Sequence, residues 1–131
     1  MKPIWHFVAA VGVWLGSMFS AVWIVVANSW QQTPTGYHVV GEGLRARAEI
    51  VDFWAMVFNP SSVERLTHVW LGSFLAGGFL LASIAAWYLL KRQHVEVARK
   101  ALAISLPMVF VASWAQLFSG HVAAEVVAEH Q

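Results

Sequence analysis

The sequence predicts an all-α membrane protein, with three transmembrane helices, a short interfacial helix and a place in a larger helical bundle. Of its 131 residues, 59% are hydrophobic and only 11% are charged, whereas a soluble domain usually carries about 25% charged residues. The deficit lies in three blocks without Asp, Glu, Lys or Arg: between Lys2 and Glu42, from Leu66 to Leu90, and from Ala101 to Gly120. Each block can hold the roughly 20 apolar residues that a spanning helix needs, and backbone hydrogen bonding in lipid favours the helix.

The first span is predicted over about residues 4–27. Its apolar run is longer than the about 7–15 residues of a signal-peptide core, so we expect a retained membrane helix. Gly12, Gly16 and Ser20 recur every four residues and therefore share one face. Small residues on one face let helices approach closely in lipid, which predicts that this helix packs against another.

The connection over residues 31–65 contains an amphipathic stretch, which predicts a short interfacial helix over about residues 45–58. Apolar residues crowd one side of that stretch at helical spacing, whereas Arg47, Glu49 and Asp52 lie elsewhere. We expect Asn59-Pro60 to end the helix, because the residue before a proline is biased away from helical geometry.

Two further spans are predicted over about residues 65–90 and 101–120. The first of these carries small residues at four-residue spacing, namely Gly72, Ala76, Ser73 and Gly77. Pro107 predicts a kink in the last span, which neighbouring helices can tolerate in a membrane. The tail over 121–131 has a mixed composition, and nothing in it closes a domain.

The charges of the two connections predict the orientation. Residues 91–100 carry four basic side chains and one acidic one, net +3, whereas residues 31–65 carry three arginines and four acids, net −1. Positively charged connections stay in the cytoplasm. The N-terminus and 91–100 are therefore predicted to be cytoplasmic, with 31–65 and the C-terminus periplasmic, in a multi-pass protein of a bacterial inner membrane.

Composition excludes several kinds of chemistry. The chain has no cysteine, which removes disulfides, thiolate catalysis, iron–sulfur clusters and cysteine-based zinc sites. No basic run or RNA-binding motif is present, so nucleic acid is not a predicted partner.

His68, near the start of the second span, is the main candidate for function. An ionisable side chain inside a membrane span is costly and marks a functional site by default, and imidazole is a common axial ligand of haem iron. The alternative is a histidine at the water–lipid boundary that hydrogen-bonds a neighbour. A six-coordinate haem needs a second ligand, usually His or Met, and none of the four methionines shares a helix with His68.

Three uncharged polar residues lie within or beside the spans: Ser20, Asn28 and Gln116. Hydrogen bonding between helices explains such residues. The other interpretation is a proton path, which would be incomplete in this chain because no predicted span carries a carboxylate.

Several segments resemble subunit I of cytochrome bd-type quinol oxidases, over nearly the whole chain. The most specific is the block Ala27-Asn28-Ser29-Trp30-Gln31-Gln32-Thr33-Pro34-Thr35-Gly36, which contains Asn-x-Trp-x-Gln-x-Pro directly after a span. Others are residues 15–17, 20–24, 50–53 and 58–60, His68 early in its helix, residues 86–91, and the tail from Ser119-Gly120-His121 onward.

The resemblance implies part of a respiratory quinol:oxygen oxidoreductase. His68 aligns with the axial ligand of the low-spin haem b that accepts electrons from quinol. Ser20 aligns with a serine of a proton path, and Asn28 lies in the same motif as a polar packing residue. Residues 121–131 look like the start of the quinol-binding loop. Subunit II, the remaining parts of subunit I, quinol and membrane lipid are the implied partners.

The resemblance covers only the middle of subunit I. The second ligand of haem b and the ligands of the other haems are not expected in this chain, which therefore should not catalyse the reaction alone. It could be a gene fragment or one chain of a split subunit. The alternative hypothesis is a haem-free three-helix membrane anchor or assembly subunit derived from the same scaffold, with the Gly12, Gly16 and Ser20 face as its working surface.

Overall fold

The computed structural model describes residues 2–130 and is mainly helical. Its long helices are α1, Pro3–Gln32; α3, Ser62–Leu90; and α4, Val95–His130. Each of them is long and apolar enough to cross a membrane. A fourth, short helix, α2, spans Phe53–Val57. The predicted fold class, three spanning helices with one short additional helix, is therefore confirmed.

The helices extend beyond the charge-free blocks. α1 starts at Pro3, where a proline fits the first turn because its missing N–H has no helical partner there. It ends at Gln32, and its C-cap Thr33 precedes Pro34, whose ring disfavours helical geometry at Thr33. α4 begins before the block at 101–120 and continues to His130. Charge-free blocks mark what can lie in hydrocarbon, but they do not give the helix ends, since α4 continues through Pro107 and Gly120.

The charge-free blocks did not give the limits of the tail after residue 120 or of the turn between α3 and α4. Residues 121–130, the tail of mixed composition, are helical, while Gln131 lies outside the described residues. The sequence after Gly120 is rich in Ala, Val and Glu and contains neither glycine nor proline, so nothing in it ends the helix. The turn between α3 and α4 is only residues 91–94, with Arg92 and His94 at positive φ.

The prediction of one interfacial helix over 45–58 was wrong for its first half. Strand β1, Tyr37–Val40, pairs antiparallel with strand β2, Arg47–Ile50, in the register Tyr37↔Ile50 and Val40↔Arg47. Gly41 has φ +88°, and an added Cβ there would lie 2.6 Å from the Arg45 carbonyl oxygen, so this turn requires glycine. The apolar residues Ala48, Ile50 and Val51 suit a strand as well as a helix, and pairing of residues 47–50 with residues 37–40 decides between the two.

The predicted interfacial helix keeps only Phe53–Val57. Asp52 caps it, because its carboxylate accepts a hydrogen bond from the Ala55 N–H at 3.0 Å. On the hairpin, the Arg47 guanidinium pairs with Glu49 at 2.6 Å, and the His38 imidazole lies 3.9 Å from the same carboxylate. These exposed ion pairs contribute little stability, but they show that one face of the hairpin is polar.

The described residues form two compact units, one containing 2–66 with 125–130 and the other containing 67–124. In the second unit, small residues form the contact between α3 and α4. Its buried residues include Ala85, Ala98, Ser105, Val109 and Ala112. Small side chains at such a contact let the two backbones approach closely, which is how helices associate in lipid.

Gly78 makes the tightest of these contacts. A Cβ added at Gly78 would lie 2.8 Å from the Met108 Cε and would overlap the Val109 Cγ2. The sequence pattern gave two pairs of small residues, Gly72 with Ala76 and Ser73 with Gly77, and both members of the second pair are exposed. Four-residue spacing identifies a face of small residues, but it does not show which face meets the neighbouring helix.

Replacing Gly78 with alanine is expected to lower the free energy of unfolding by about 1–3 kcal/mol, the usual cost of overpacking a close contact. Gly77→Ala is the matched control, since apart from its chain neighbours and the adjoining backbone of α3, no atom of the described residues lies within 4 Å of its added Cβ. Denaturant unfolding of the purified chain in detergent micelles measures both. A second substitution, Val109→Ala, should recover part of the Gly78→Ala loss. Equal effects of the two glycine substitutions would contradict the close contact.

Candidate functional site

His68 lies on α3, half-buried, between two polar side chains of α4. Its Nδ1 is 2.9 Å from the Ser119 Oγ. Its Nε2 is 2.8 Å from the Gln116 Nε2, which is also 3.2 Å from Nδ1. All three residues belong to the unit of residues 67–124. We refer to His68, Gln116 and Ser119 as the histidine cluster.

Two glycines flank the histidine cluster. A Cβ added at Gly120 would lie 3.5 Å from the His68 Cε1, and one added at Gly72 would lie 3.7 Å from the Gln116 Nε2. Both distances are ordinary contacts, so any larger side chain at either position would crowd the ring or the amide. The glycines therefore keep space beside the imidazole.

Gln116 is held on one side only. Its Nε2 meets His68, but its Oε1 is buried without a hydrogen-bond partner among residues 2–130. An unpaired buried carbonyl oxygen costs about 1–3 kcal/mol. The Gln116 amide therefore has few hydrogen bonds in this position. Rotating it away from His68 Nε2 would cost little free energy.

The cluster contains one metal-ligating residue. Across the described range 2–130, no group of three or more His, Cys, Asp or Glu side chains could hold a metal ion. A neutral imidazole can supply one lone pair to a metal. What the arrangement can do chemically is therefore to offer a single nitrogen ligand to a group whose other ligands come from elsewhere.

Of the three other polar residues singled out in the sequence, Gln116 has a partner on another helix, whereas Ser20 and Asn28 are exposed. Gln116 is part of the histidine cluster, as the helix–helix hydrogen-bonding interpretation expected. Ser20 and Asn28 are exposed on α1, and so are Gly12 and Gly16. Apart from chain neighbours and the adjoining backbone of α1, no atom of the described residues lies within 4 Å of an added Cβ at either glycine. Packing against another helix and a proton path both stay predictions for Ser20 and Asn28.

A second cluster was missed by the sequence analysis. Five uncharged polar residues in the unit of residues 2–66 are almost completely buried: Ser29 at 0% exposure, Thr33 at 5%, Asn59 at 3%, Ser61 at 0% and Ser62 at 3%. They join the end of α1 to the start of α3. We call them the polar network.

Asn59 is the hub of the polar network. Its Nδ2 lies 2.9 Å from the Met56 carbonyl oxygen, 2.6 Å from the Ser62 Oγ and 2.9 Å from the Ser29 Oγ. Ser62 can donate to Ser29 at 3.0 Å, and Ser29 donates to the Val26 carbonyl oxygen at 2.9 Å. With this direction, both amide protons and both hydroxyl protons reach acceptors.

The other half of the polar network closes in the same way. The Asn59 Oδ1 accepts from the Ser61 backbone N–H at 3.2 Å. Ser61 Oγ and Thr33 Oγ1 are 2.6 Å apart, and Thr33 can donate to the Ser29 carbonyl oxygen at 3.0 Å. Because buried polar groups are stable only when they are paired, this satisfied network fixes the end of α1 against the start of α3.

The same part of the chain contains the Asn-x-Trp-x-Gln-x-Pro block. Trp30 Nε1 donates to the Thr35 carbonyl oxygen at 2.8 Å, and Thr35 Oγ1 donates to the Ala55 carbonyl oxygen at 2.7 Å. An added Cβ at Gly36, which has φ +62°, would lie 2.8 Å from the Ala55 Cβ. These contacts give the block a structural role, since they fold the chain after α1 back onto α2.

Comparison with known proteins gives consistent matches. The family model for cytochrome bd terminal oxidase subunit I matches residues 1–131. Cytochrome bd-II ubiquinol oxidase subunit 1 of Escherichia coli (strain K12) is 37% identical over 99 residues, which are 76% of this chain and 19% of the relative. Cytochrome bd ubiquinol oxidase subunit 1 of Bacillus subtilis (strain 168) is 32% identical over 125 residues, 93% of this chain and 26% of the relative.

The solved structure of bd oxidase from Geobacillus thermodenitrificans matches the fold. The TM-score is 0.81 with 30% sequence identity, and the match covers 100% of this chain and 29% of that one. The chain therefore spans between 19% and 29% of the length of these relatives.

Proposed function

Since the chain belongs to the family of cytochrome bd terminal oxidase subunit I, we propose that it is one part of a quinol:oxygen oxidoreductase of the respiratory chain. Its contribution in this proposal is His68, as an axial ligand to the low-spin haem b that accepts electrons from quinol. The second axial ligand and the ligands of the other haems come from the remaining parts of the oxidase.

The observation that carries this proposal is the set of contacts around His68. Its Nε2 meets only an amide that is otherwise unsatisfied, while its Nδ1 is held by the Ser119 hydroxyl. Glycines at 72 and 120 leave space beside the ring and the amide. A half-buried imidazole with one tethered nitrogen and one replaceable contact fits an axial haem ligand.

Haem b, when bound, supplies a one-electron carrier between quinol and the oxygen-reducing haems. Residues of this chain would orient it. Ser119 would hold the ring of His68, Gln116 would turn away from Nε2, and Gly72 and Gly120 would keep space beside the ligand. The optical spectrum of the assembled complex, with and without His68, tests this proposal.

The partners in this proposal are subunit II, the other segments of subunit I and quinol. Helix α1 exposes large apolar side chains along its length, such as Phe7 at 66%, Val13 at 71% and Phe19 at 67%. Lipid or neighbouring helices of the bundle would cover them. Residues 121–130, which extend α4, would lead into the quinol-binding loop of the complete subunit.

The three apolar helices fit a multi-pass membrane protein, and we place it in the bacterial inner membrane. The segment 91–100, which contains the turn 91–94, carries Lys91, Arg92, Arg99 and Lys100, with Glu96 as its one acid. The excess of positive charge supports a cytoplasmic position for this turn and for the N-terminus. The hairpin of β1 and β2 and the C-terminus then face the periplasm.

Thiol labelling can test this orientation cleanly, because the chain has no cysteine of its own. Leu44→Cys, at the fully exposed tip of the hairpin, is expected to react with a membrane-impermeant maleimide once the outer membrane is opened. Gln93→Cys, in the exposed turn between α3 and α4, is expected to react only after the inner membrane is also permeabilised. The opposite order of reactivity would reverse the proposed orientation.

A further inference from the structure

The hydrogen bonds around His68 have a direction. An amide nitrogen can only donate a hydrogen bond, and the Gln116 Nε2 lies nearer to His68 Nε2, at 2.8 Å, than to Nδ1, at 3.2 Å. A neutral imidazole has one protonated nitrogen. Donation to the nearer nitrogen, Nε2, leaves the ring proton of a neutral His68 on Nδ1.

Ser119 completes the chain of donors and acceptors. Its Oγ lies 2.9 Å from His68 Nδ1 and can donate to the backbone carbonyl oxygen of Gln116 at 3.2 Å. Because the hydroxyl proton is directed to that carbonyl, an Oγ lone pair remains for the Nδ1–H. The order of donation is then Nδ1–H to Ser119, and Ser119 to the backbone of α4.

From this geometry we infer that Ser119 is a positioning residue that keeps His68 in the Nδ1–H tautomer, with the Nε2 lone pair presented for binding. Among the hydroxyls of residues 67–124 whose hydrogen bonds the structure shows, Ser119 is the one that reaches the ring. Ser73, Ser83 and Ser113 instead donate to the carbonyl oxygen four residues before them. Such hydroxyls form hydrogen bonds only with the backbone of their own helix.

The consequence for iron rests on the proposed function. A histidine whose second nitrogen donates a hydrogen bond is fixed in orientation and is a more basic ligand, and loss of such a donor–acceptor partner typically weakens metal affinity by about 10–100-fold. A more basic ligand favours ferric iron. Removal of the Ser119 hydroxyl should therefore raise the reduction potential of the haem and weaken its binding about tenfold.

The tautomer can be measured without haem. We would label the full chain with ¹⁵N-histidine in detergent micelles at alkaline pH and read the ring-nitrogen shifts that disappear in His68→Gln. We expect the Nδ1–H form in the unmodified chain. Ser119→Ala should shift the tautomer ratio toward Nε2–H by roughly tenfold, the effect of losing one hydrogen bond of ordinary strength, as Gln116 turns its free Oε1 toward the ring.

Two variants serve as controls. Ser119→Thr retains the hydroxyl and should retain the Nδ1–H form. Ser113→Ala removes a hydroxyl from the same helix that bonds only the Val109 carbonyl oxygen, and it should change nothing. If Ser119→Ala does not fold, the tautomer of the unmodified chain still decides the matter, because a predominant Nε2–H form overturns the inference. An unchanged ratio in folded Ser119→Ala overturns it as well.

Measurements on the haem of the assembled oxidase separate this inference from the proposed function. In the assembled oxidase, Ser119→Ala is expected to retain a low-spin haem b signal at a raised reduction potential, with Ser119→Thr close to the unmodified value. If His68→Ala leaves the haem signal intact, the proposed ligation fails while the tautomer result stands. If the haem signal is lost in His68→Ala but the reduction potential is unchanged in Ser119→Ala, the positioning role of Ser119 is refuted and the proposed ligation stands.

Discussion

Replacing His68 with alanine is expected to abolish the low-spin haem b absorbance of the assembled oxidase. The chain offers one nitrogen ligand in its histidine cluster, and no group of three or more His, Cys, Asp or Glu side chains in residues 2–130 could substitute for it. An iron that loses an axial ligand loses its low-spin state or leaves the protein. The measurement is a reduced-minus-oxidised difference spectrum of membranes in which the chain is co-expressed with the remaining parts of subunit I and with subunit II.

Two controls make this experiment specific. His6→Ala removes an exposed histidine of α1 and should leave the spectrum unchanged. Free imidazole added to the His68→Ala complex should restore part of the signal, because the small ligand can occupy the space that the side chain vacates. A full haem b signal in His68→Ala would refute the ligand assignment and favour the alternative hypothesis of a haem-free membrane anchor or assembly subunit.

Replacing Asn59 with alanine is expected to lower the free energy of unfolding by about 2–4 kcal/mol. The side chain is 3% exposed, and its amide reaches Ser29, Met56 and Ser62 while its oxygen accepts from the Ser61 N–H. Each buried group left without a partner costs about 1–3 kcal/mol, although small shifts of the neighbouring hydroxyls would recover part of that loss.

Asn28→Ala is the matched control for this prediction. It makes the same chemical change on an exposed position of α1 and should alter stability by less than about 0.5 kcal/mol. Denaturant unfolding of the isolated chain in micelles, followed by tryptophan fluorescence, compares the two variants. If Asn59→Ala is as stable as Asn28→Ala, the polar network does not hold α1 to α3 as the distances indicate.

The long helices were predictable because hydrophobicity without charge is a strong signal. Leu66 to Leu90 is free of charge, and α3 ends at Leu90 as expected. Helix ends elsewhere were not predictable from charge, since α4 runs on to His130 through Glu125 and Glu129. The hairpin was missed because residues 47–50 were considered alone. Their strand partners at 37–40 supply the pairing, and local sequence does not contain that information.

The histidine cluster was partly predictable. His68 and Gln116 stand out as polar residues in apolar spans, and α3 and α4 are joined by the short turn 91–94. In two helices joined by a short turn, residues at similar distances from the turn meet, and this places residues 116–119 near His68. The role of Ser119 was not predictable, because a serine within a helix usually bonds the backbone of that helix.

The polar network was also within reach of sequence reasoning, although only in outline. Ser29 and Thr33 follow one span, while Asn59, Ser61 and Ser62 precede the next, so both groups belong to the same end of their helices. Uncharged polar residues concentrated at one end indicate helix–helix hydrogen bonding. Their pairing depends on α2, whose residue Met56 supplies a carbonyl oxygen to Asn59, and this short helix was predicted with other limits.

An electron microscopy structure of the assembled oxidase tests most directly whether His68 binds haem iron. We expect continuous density from His68 Nε2 to the iron, with the Gln116 amide turned away from Nε2 and the Ser119 hydroxyl still in contact with Nδ1. An iron with both axial positions filled by other side chains, while His68 remains bonded to Gln116, would contradict the proposed ligation.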